Sequence, residues 1–127
     1  MVRLLWTTGS NRKLNSELDA GNAAREANNW PAAVSHYRRY LEDQPRAFVI
    51  WVQLGHALKE SGQLVEALLA YSEARRLNRN DSDLELSLGH LYKLMGHFEE
   101  ALVHYQRSVE IDGNVHANAE INRLRVS

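Results

Sequence analysis

Glycines at positions 21, 55 and 89 stand 34 residues apart. So do alanines at 33, 67 and 101, and tyrosines at 37, 71 and 105. Three residue types sharing one register do not coincide by chance. A fixed period of this length marks a chain built by repeating one supersecondary unit, and it signals a solenoid. The middle copy is the fullest, with Trp51, Leu54, Gly55, Leu58, Gly62, Ala67, Tyr71 and Ala74. Small residues let two helices approach closely, and large ones fill the space beside them. Ala67 is expected to face Gly55 where the two helices of that unit cross. Tyr37, Tyr71 and Tyr105 are read as packing residues between helices, and Trp51 as core.

The local pattern places two helices in each period. Apolar residues at helical spacing predict a helix from about Asn15 to Ala27, broken at Asn28-Asn29. Pro31 suits the first turn of the next helix, where its missing N–H costs nothing, and Pro45 closes it. The second unit is predicted over Phe48–Glu60 and Leu64–Leu77, with Ser61-Gly62 as the turn. In the third, Ser82-x-x-Glu85 reads as a capping box opening a helix that runs to about Met95. Its partner spans Phe98–Ile111. A seventh helix, from about His116 to Arg125, carries Ala117, Ile121 and Leu124 on one face. Asn118, Glu120, Asn122, Arg123 and Arg125 are assigned to its polar outer face. Thr7-Thr8-Gly9-Ser10 reads as flexible linker.

The totals exclude more than they identify. A hydrophobic fraction of 44% with 24% charged residues is ordinary for a folded domain. A net charge of −1 gives no whole-molecule field toward nucleic acid or an anionic membrane. The chain has no cysteine, hence no disulfide framework and no thiol nucleophile, which suits a cytoplasmic setting. No phosphate-binding glycine loop and no nucleophile elbow occurs. The six histidines contain no pair at i, i+3 or i, i+4, and a turn is predicted at the middle one of His90, His97 and His104, so no metal site is expected. Neither an enzyme nor a cofactor binder is expected.

The pattern Trp51-x-x-Leu54-Gly55-x-x-Leu58 followed by Ala67-x-x-x-Tyr71 and Ala74 resembles the tetratricopeptide repeat (TPR). The resemblance covers Leu14 to about Val115. Glu17 and Glu85 depart from it where the first aromatic often stands; Tyr40 and Ser108 replace the late alanine. The implied fold is all-α: a right-handed α-solenoid of three TPR helix pairs plus a C-terminal helix. Repeats are assigned to 14–47, 48–81 and 82–115. Residues 1–13 form an N-terminal extension, either native and packed on the first helix or a cloning remnant. Residues 116–127 form a capping helix or the start of another repeat.

The resemblance also implies binding without catalysis. In this family the first helix of each pair lines a concave groove, which yields ladders of residues 34 apart. Leu18, Val52 and Leu86 form an apolar rung set. Asn22, His56 and His90 follow at i+4, and Arg25, Lys59 and Lys93 at i+7, so all share one helix face. Gln53 adjoins them. The expected partner is a protein or peptide, with acidic groups to pair with the cations. His56 and His90 would make such binding pH-sensitive. The family's carboxylate clamp for acidic chain ends is not reproduced: Asn22 matches, but Leu18, Gln53, Asp83 and Ser87 stand where its other residues belong. Two further readings stay open. One is a substrate-recruiting region of a larger enzyme, such as a glycosyltransferase. The other is homo-oligomerisation through Val2, Leu4, Leu5 and Trp6. Nucleic acid and membrane are not expected partners.

Overall fold

The computed structural model describes the backbone of residues 2–126 and the side chains from residue 12 onward. Among the described residues there are seven helices and no strand: α1 (Val2–Glu26), α2 (Trp30–Asp43), α3 (Phe48–Glu60), α4 (Leu64–Leu77), α5 (Ser82–Leu94), α6 (Phe98–Asp112) and α7 (Val115–Val126). The helices associate as α1 with α2, α3 with α4 and α5 with α6. Each pair is joined to the next through α2–α3 and α4–α5, and α7 packs on α6. The chain is therefore an α-solenoid whose core is spread along the stack.

One boundary differs from expectation. The first helix was expected to begin near Asn15 but runs from Val2, straight through the stretch read as linker. The apolar side chains of Val2, Leu4, Leu5 and Trp6 lie outside the described side chains.

The turns inside the pairs follow the period. Gly62 and Gly96 adopt φ of +79° and +80°, the left-handed conformation that glycine enters at least cost. Asn28, 34 residues before Gly62, does the same at +56°. Asn29 caps α2 by accepting a hydrogen bond from the Ala32 N–H, with Pro31 in the first turn.

The crossing within each pair is set by a ring resting on a bare backbone. A Cβ added at Gly55 would come within 2.3 Å of the Tyr71 ring, and one at Gly89 within 2.4 Å of the Tyr105 ring; at Gly21 it would meet the Tyr37 ring at 2.8 Å. The ring nearest Gly55 is that of Tyr71. All three tyrosines are fully buried, as their register indicated. The alanines at 33, 67 and 101 are also fully buried.

The capping box at the start of α5 does not form. Asp81 is the cap, its carboxylate accepting from the Leu84 N–H at 2.8 Å. Ser82 is buried instead, and its hydroxyl meets Ser108 Oγ at 2.9 Å and Asp112 Oδ1 at 2.8 Å. This clasp ties the start of α5 to the end of α6 and explains a serine at 108 in place of the late alanine. Glu85 is likewise buried, with a relative exposure of 1%. It accepts from Arg75 Nε at 2.6 Å and pairs with His104 Nδ1 at 2.7 Å, with Arg107 at 3.5 Å.

The same station recurs two repeats earlier. Glu17 pairs with His36 at 2.7 Å and with Arg39 at 3.9 Å, each 68 residues before its counterpart. In the middle repeat the station holds Trp51 and Ala70. A large residue with a small partner therefore alternates with a carboxylate and an imidazole. A buried carboxylate is tolerated only while its partners remain, because an unpaired one must bear its full desolvation cost.

This makes a direct test. Glu85→Ala removes the carboxylate and leaves two cationic side chains around an emptied site, at an expected loss of about 3 kcal/mol. Glu85→Trp combined with His104→Ala rebuilds the middle-repeat arrangement and is expected to lose less than about 1 kcal/mol. Urea denaturation of the two variants distinguishes these outcomes.

Candidate functional site

The three ladders of the first helices fall in three different environments. Leu18, Val52 and Leu86 are half-buried. Leu18 and Val52 pack against the main core, and Leu86 against a smaller core formed by Ala101, Tyr105, Ala117 and Ile121. Only part of each side chain therefore remains for a partner.

The second ladder forms a latch that the sequence did not reveal. Tyr37 donates from its hydroxyl to Asn22 Oδ1 at 2.8 Å. Fifteen residues separate the partners, and the spacing recurs: His56 Nδ1 meets the Tyr71 hydroxyl at 2.5 Å, and His90 Nδ1 meets that of Tyr105 at 2.8 Å. Burial pushes all three tyrosine hydroxyls above their ordinary pKa, so they stay protonated. Each donates, and each histidine accepts at Nδ1 and carries its proton on Nε2. Burial, followed by the Lys59 charge, lowers the pKa of His56. Burial also lowers that of His90, with Glu120 opposing and Lys93 assisting. Both imidazoles are thus held neutral at pH 7. Their Nδ1 lone pairs are committed to holding a tyrosine, which runs against the expectation that they titrate near neutrality.

In the third ladder, Arg25 and Lys59 form ion pairs with their chain neighbours, Glu26 at 3.9 Å and Glu60 at 3.7 Å, and Arg25 also reaches the Tyr37 hydroxyl. Lys93 differs. Its ammonium meets Glu120 Oε2 at 2.7 Å, and Glu120 is also paired with Arg123. Glu120 is buried, not on the outer face of α7 as its pattern suggested. The hydrogen bond from Lys93 holds its pKa below the usual carboxylate range. Position 120 lies 34 residues after Leu86, so α7 stands where a further first helix would stand. Its carboxylate reaches back to the cation of the preceding rung.

Between α3 and α5 the surface forms a hollow of about 250 Å³ with Phe48, Val52 and His56 on one wall and Asp81, Asp83 and Ser87 on the other. Gln53, half-buried on α3, is not among its walls. The acidic wall was not assigned to the groove from sequence, although Asp83 and Ser87 were noted as departures from a clamp. The hollow itself is acidic, with carboxylates at the start of α5; Arg25 and Lys59, near the ends of α1 and α3, are not among its walls.

Fold and ladder together define a helical-repeat solenoid with a side-chain-lined first-helix face. Residues 86–115 match the tetratricopeptide repeat family, and the same 34-residue register runs through two preceding copies. The matched segment is a tetratricopeptide repeat. No curated protein matches the sequence. Among solved structures, it is similar to the first TPR of Spaghetti (RPAP3) bound to an HSP90 peptide. That similarity has 20% identity and a TM-score of 0.82, over 91% of this chain and 92% of that one. The Arabidopsis OM64 TPR domain is 18% identical, TM-score 0.81, over 89% and 94%. MamA from MSR-1 is 26% identical, TM-score 0.75, over 78% of this chain and 57% of that one. The chain thus spans little more than half of that MamA protein.

The latch has a measurable signature. His56→Asn installs the acceptor used at position 22 and is expected to cost less than about 1 kcal/mol. His56→Leu leaves the Tyr71 hydroxyl buried and unpaired, at about 1–3 kcal/mol. A histidine with a lowered folded pKa binds its proton more readily once unfolded. Stability should therefore decline as pH falls below about 6.5. Urea midpoints at pH 7.5 and 5.5 should show this decline, and His56→Asn should reduce it.

Proposed function

We propose that the face formed by α1, α3 and α5 docks a protein or peptide segment, with apolar contacts at Leu18, Val52 and Leu86 and carboxylates paired to Arg25 and Lys59. The observation that carries this reading is Glu120. At one end of the ladder the chain supplies its own carboxylate to a rung cation, Lys93, at 2.7 Å. That contact displays the chemistry the remaining rungs offer. Lys93 belongs to the same cationic strip but is engaged from α7, so Arg25 and Lys59 supply the positive charge to a partner. Asn22, His56 and His90 shape the floor through their tyrosines, and Gln53 flanks it.

The RPAP3 domain is seen with the HSP90 peptide SRMEEVD, which supports peptide docking as a use of this architecture. The contacts here differ. Leu18 stands where a clamp lysine would sit, and Asp83 and Ser87 replace two further cations. The ligand that fits is an amphipathic segment with internal carboxylates, set so that its acidic groups approach α1 and α3 and avoid Asp83. The chemistry favours a scaffold or adaptor in a reducing compartment such as the cytoplasm, since the chain has no thiol to oxidise. Among the described residues no helix is long and apolar enough to cross a membrane.

The test uses a fluorescein-labelled helical peptide with alternating leucine and glutamate pairs, followed by anisotropy. Reversing Arg25 and Lys59 to glutamate together should weaken binding by at least about tenfold, with the effect shrinking at high salt. Unchanged affinity would remove this face from the reading. Lys93 is left alone in this experiment, because its reversal would repel Glu120 and confuse docking with stability.

A further inference from the structure

A second cleft lies among the described residues. It has a volume of about 700 Å³ and opens between α2 and α4 with α3 as its floor. Leu41, Leu54, Leu58 and Ala70 form buried walls, Trp51 adds a half-buried indole, and Leu69, 65% exposed, stands at the lip. The indole is held in place: its N–H donates to the Pro45 carbonyl at 2.8 Å.

The repeat itself shows what such a cleft accepts. Adding 34 to Leu41, Leu54, Leu58 and Ala70 gives Arg75, Leu88, Tyr92 and His104, which line the corresponding cleft of the next repeat. That cleft is only about 200 Å³. It is occupied by the chain's own rings: the imidazole of His104 lies flat on Tyr92, with centroids 5.3 Å apart and planes 11° apart. At the first cleft the methyl of Ala70 replaces that imidazole. The space left open is thus the space a planar ring takes one repeat later.

Charge defines the rest of the occupant. The walls and rim carry three carboxylates, Glu42, Glu66 and Glu73, against the one guanidinium of Arg38. Arg38 is turned to Glu66 at 3.2 Å, and Arg76, beside the cleft, to Glu73 at 3.0 Å. The surroundings of the apolar floor are therefore acidic, opposite in sign to the cationic strip on the first-helix face.

From this geometry we infer that the cleft between α2 and α4 is a second docking site, taking one aromatic side chain of a partner protein flanked by lysine or arginine. The ring enters over Ala70 against Trp51 and Leu58; the flanking cations meet Glu42 and share Glu66 and Glu73 with Arg38 and Arg76. A buried aromatic anchor with a charged rim is the usual economy of such contacts. The site is independent of the first-helix face, so a protein of this kind can hold two partners at once, one acidic and one basic.

The probe is a capped pentapeptide with a central phenylalanine flanked by two lysines on each side, titrated to about 1 mM into ¹⁵N-labelled protein. The Trp51 indole N–H and the amides of Leu69 and Ala70 should shift. A peptide with alanine at the centre should bind at least about tenfold more weakly. One with glutamates as flanks should also bind more weakly. Leu69→Glu, at an exposed lip, should leave the circular dichroism spectrum unchanged and reduce binding. Ala70→His should abolish binding by placing in the cleft the ring found in the next repeat. Arg25→Glu with Lys59→Glu should leave binding of this probe unweakened, which separates the two sites. Equal binding of the phenylalanine and alanine peptides would overturn the proposal. So would shifts confined to Val52, His56 and Lys59, or no shift at all.

Discussion

Every helix pair in this protein depends on one close contact: an aromatic ring laid on a glycine. Gly21, Gly55 and Gly89 have no side chain because Tyr37, Tyr71 and Tyr105 occupy the place where it would be. The contact fixes how near the two helices come. The polar end of the same tyrosine fixes the rest, since its hydroxyl must be satisfied in the interior. Asn22 does this in the first pair, His56 and His90 in the others. Because all three acceptors come from first helices, the contact that closes each pair also orders the floor of the proposed groove. Packing and site are two ends of one side chain.

A second station is solved in two ways. The middle repeat places an indole beside an alanine. The outer two place a carboxylate beside an imidazole, with arginines near it. These solutions have different consequences at the surface. The polar pair in the third repeat fills the space between second helices. The apolar pair in the middle leaves a cleft open, and its acidic rim gives that side a character opposite to the first-helix face. A single substitution pattern thus alters both the interior and what the exterior can receive.

The 34-residue register made the fold readable. From Phe48 to Leu77 the expected helices coincide with the observed ones, because glycine and polar turns punctuate strong apolar periodicity. The α1 boundary was not legible, since Thr7-Thr8-Gly9-Ser10 carries loop-forming residues that nevertheless lie in helix. Local motifs misled wherever a tertiary partner won. Ser82 and Glu85 have the spacing of a capping box, yet each is drawn inward by residues 10 to 32 positions away. Glu120 read as surface charge because its partner, Lys93, sits on a different helix. The ladder residues were legible as a set by position alone. Their tyrosine partners could have been found by applying the same register to the offset of fifteen that joins 22 to 37, 56 to 71 and 90 to 105. The open cleft could have been found by asking why Ala70 stands where the other copies have histidine.

The most direct measurement is a double-mutant cycle on Gly55 and Tyr71, followed by urea denaturation. If the ring on the bare backbone closes the pair, Gly55→Ala should be costly in the native background and much cheaper once Tyr71→Leu has removed the ring. The coupling between the two changes should then be at least about 1 kcal/mol. Losses that simply add, within about 0.3 kcal/mol, would mean that the glycine and the tyrosine do not act on each other, and the basis of the fold described above would be wrong.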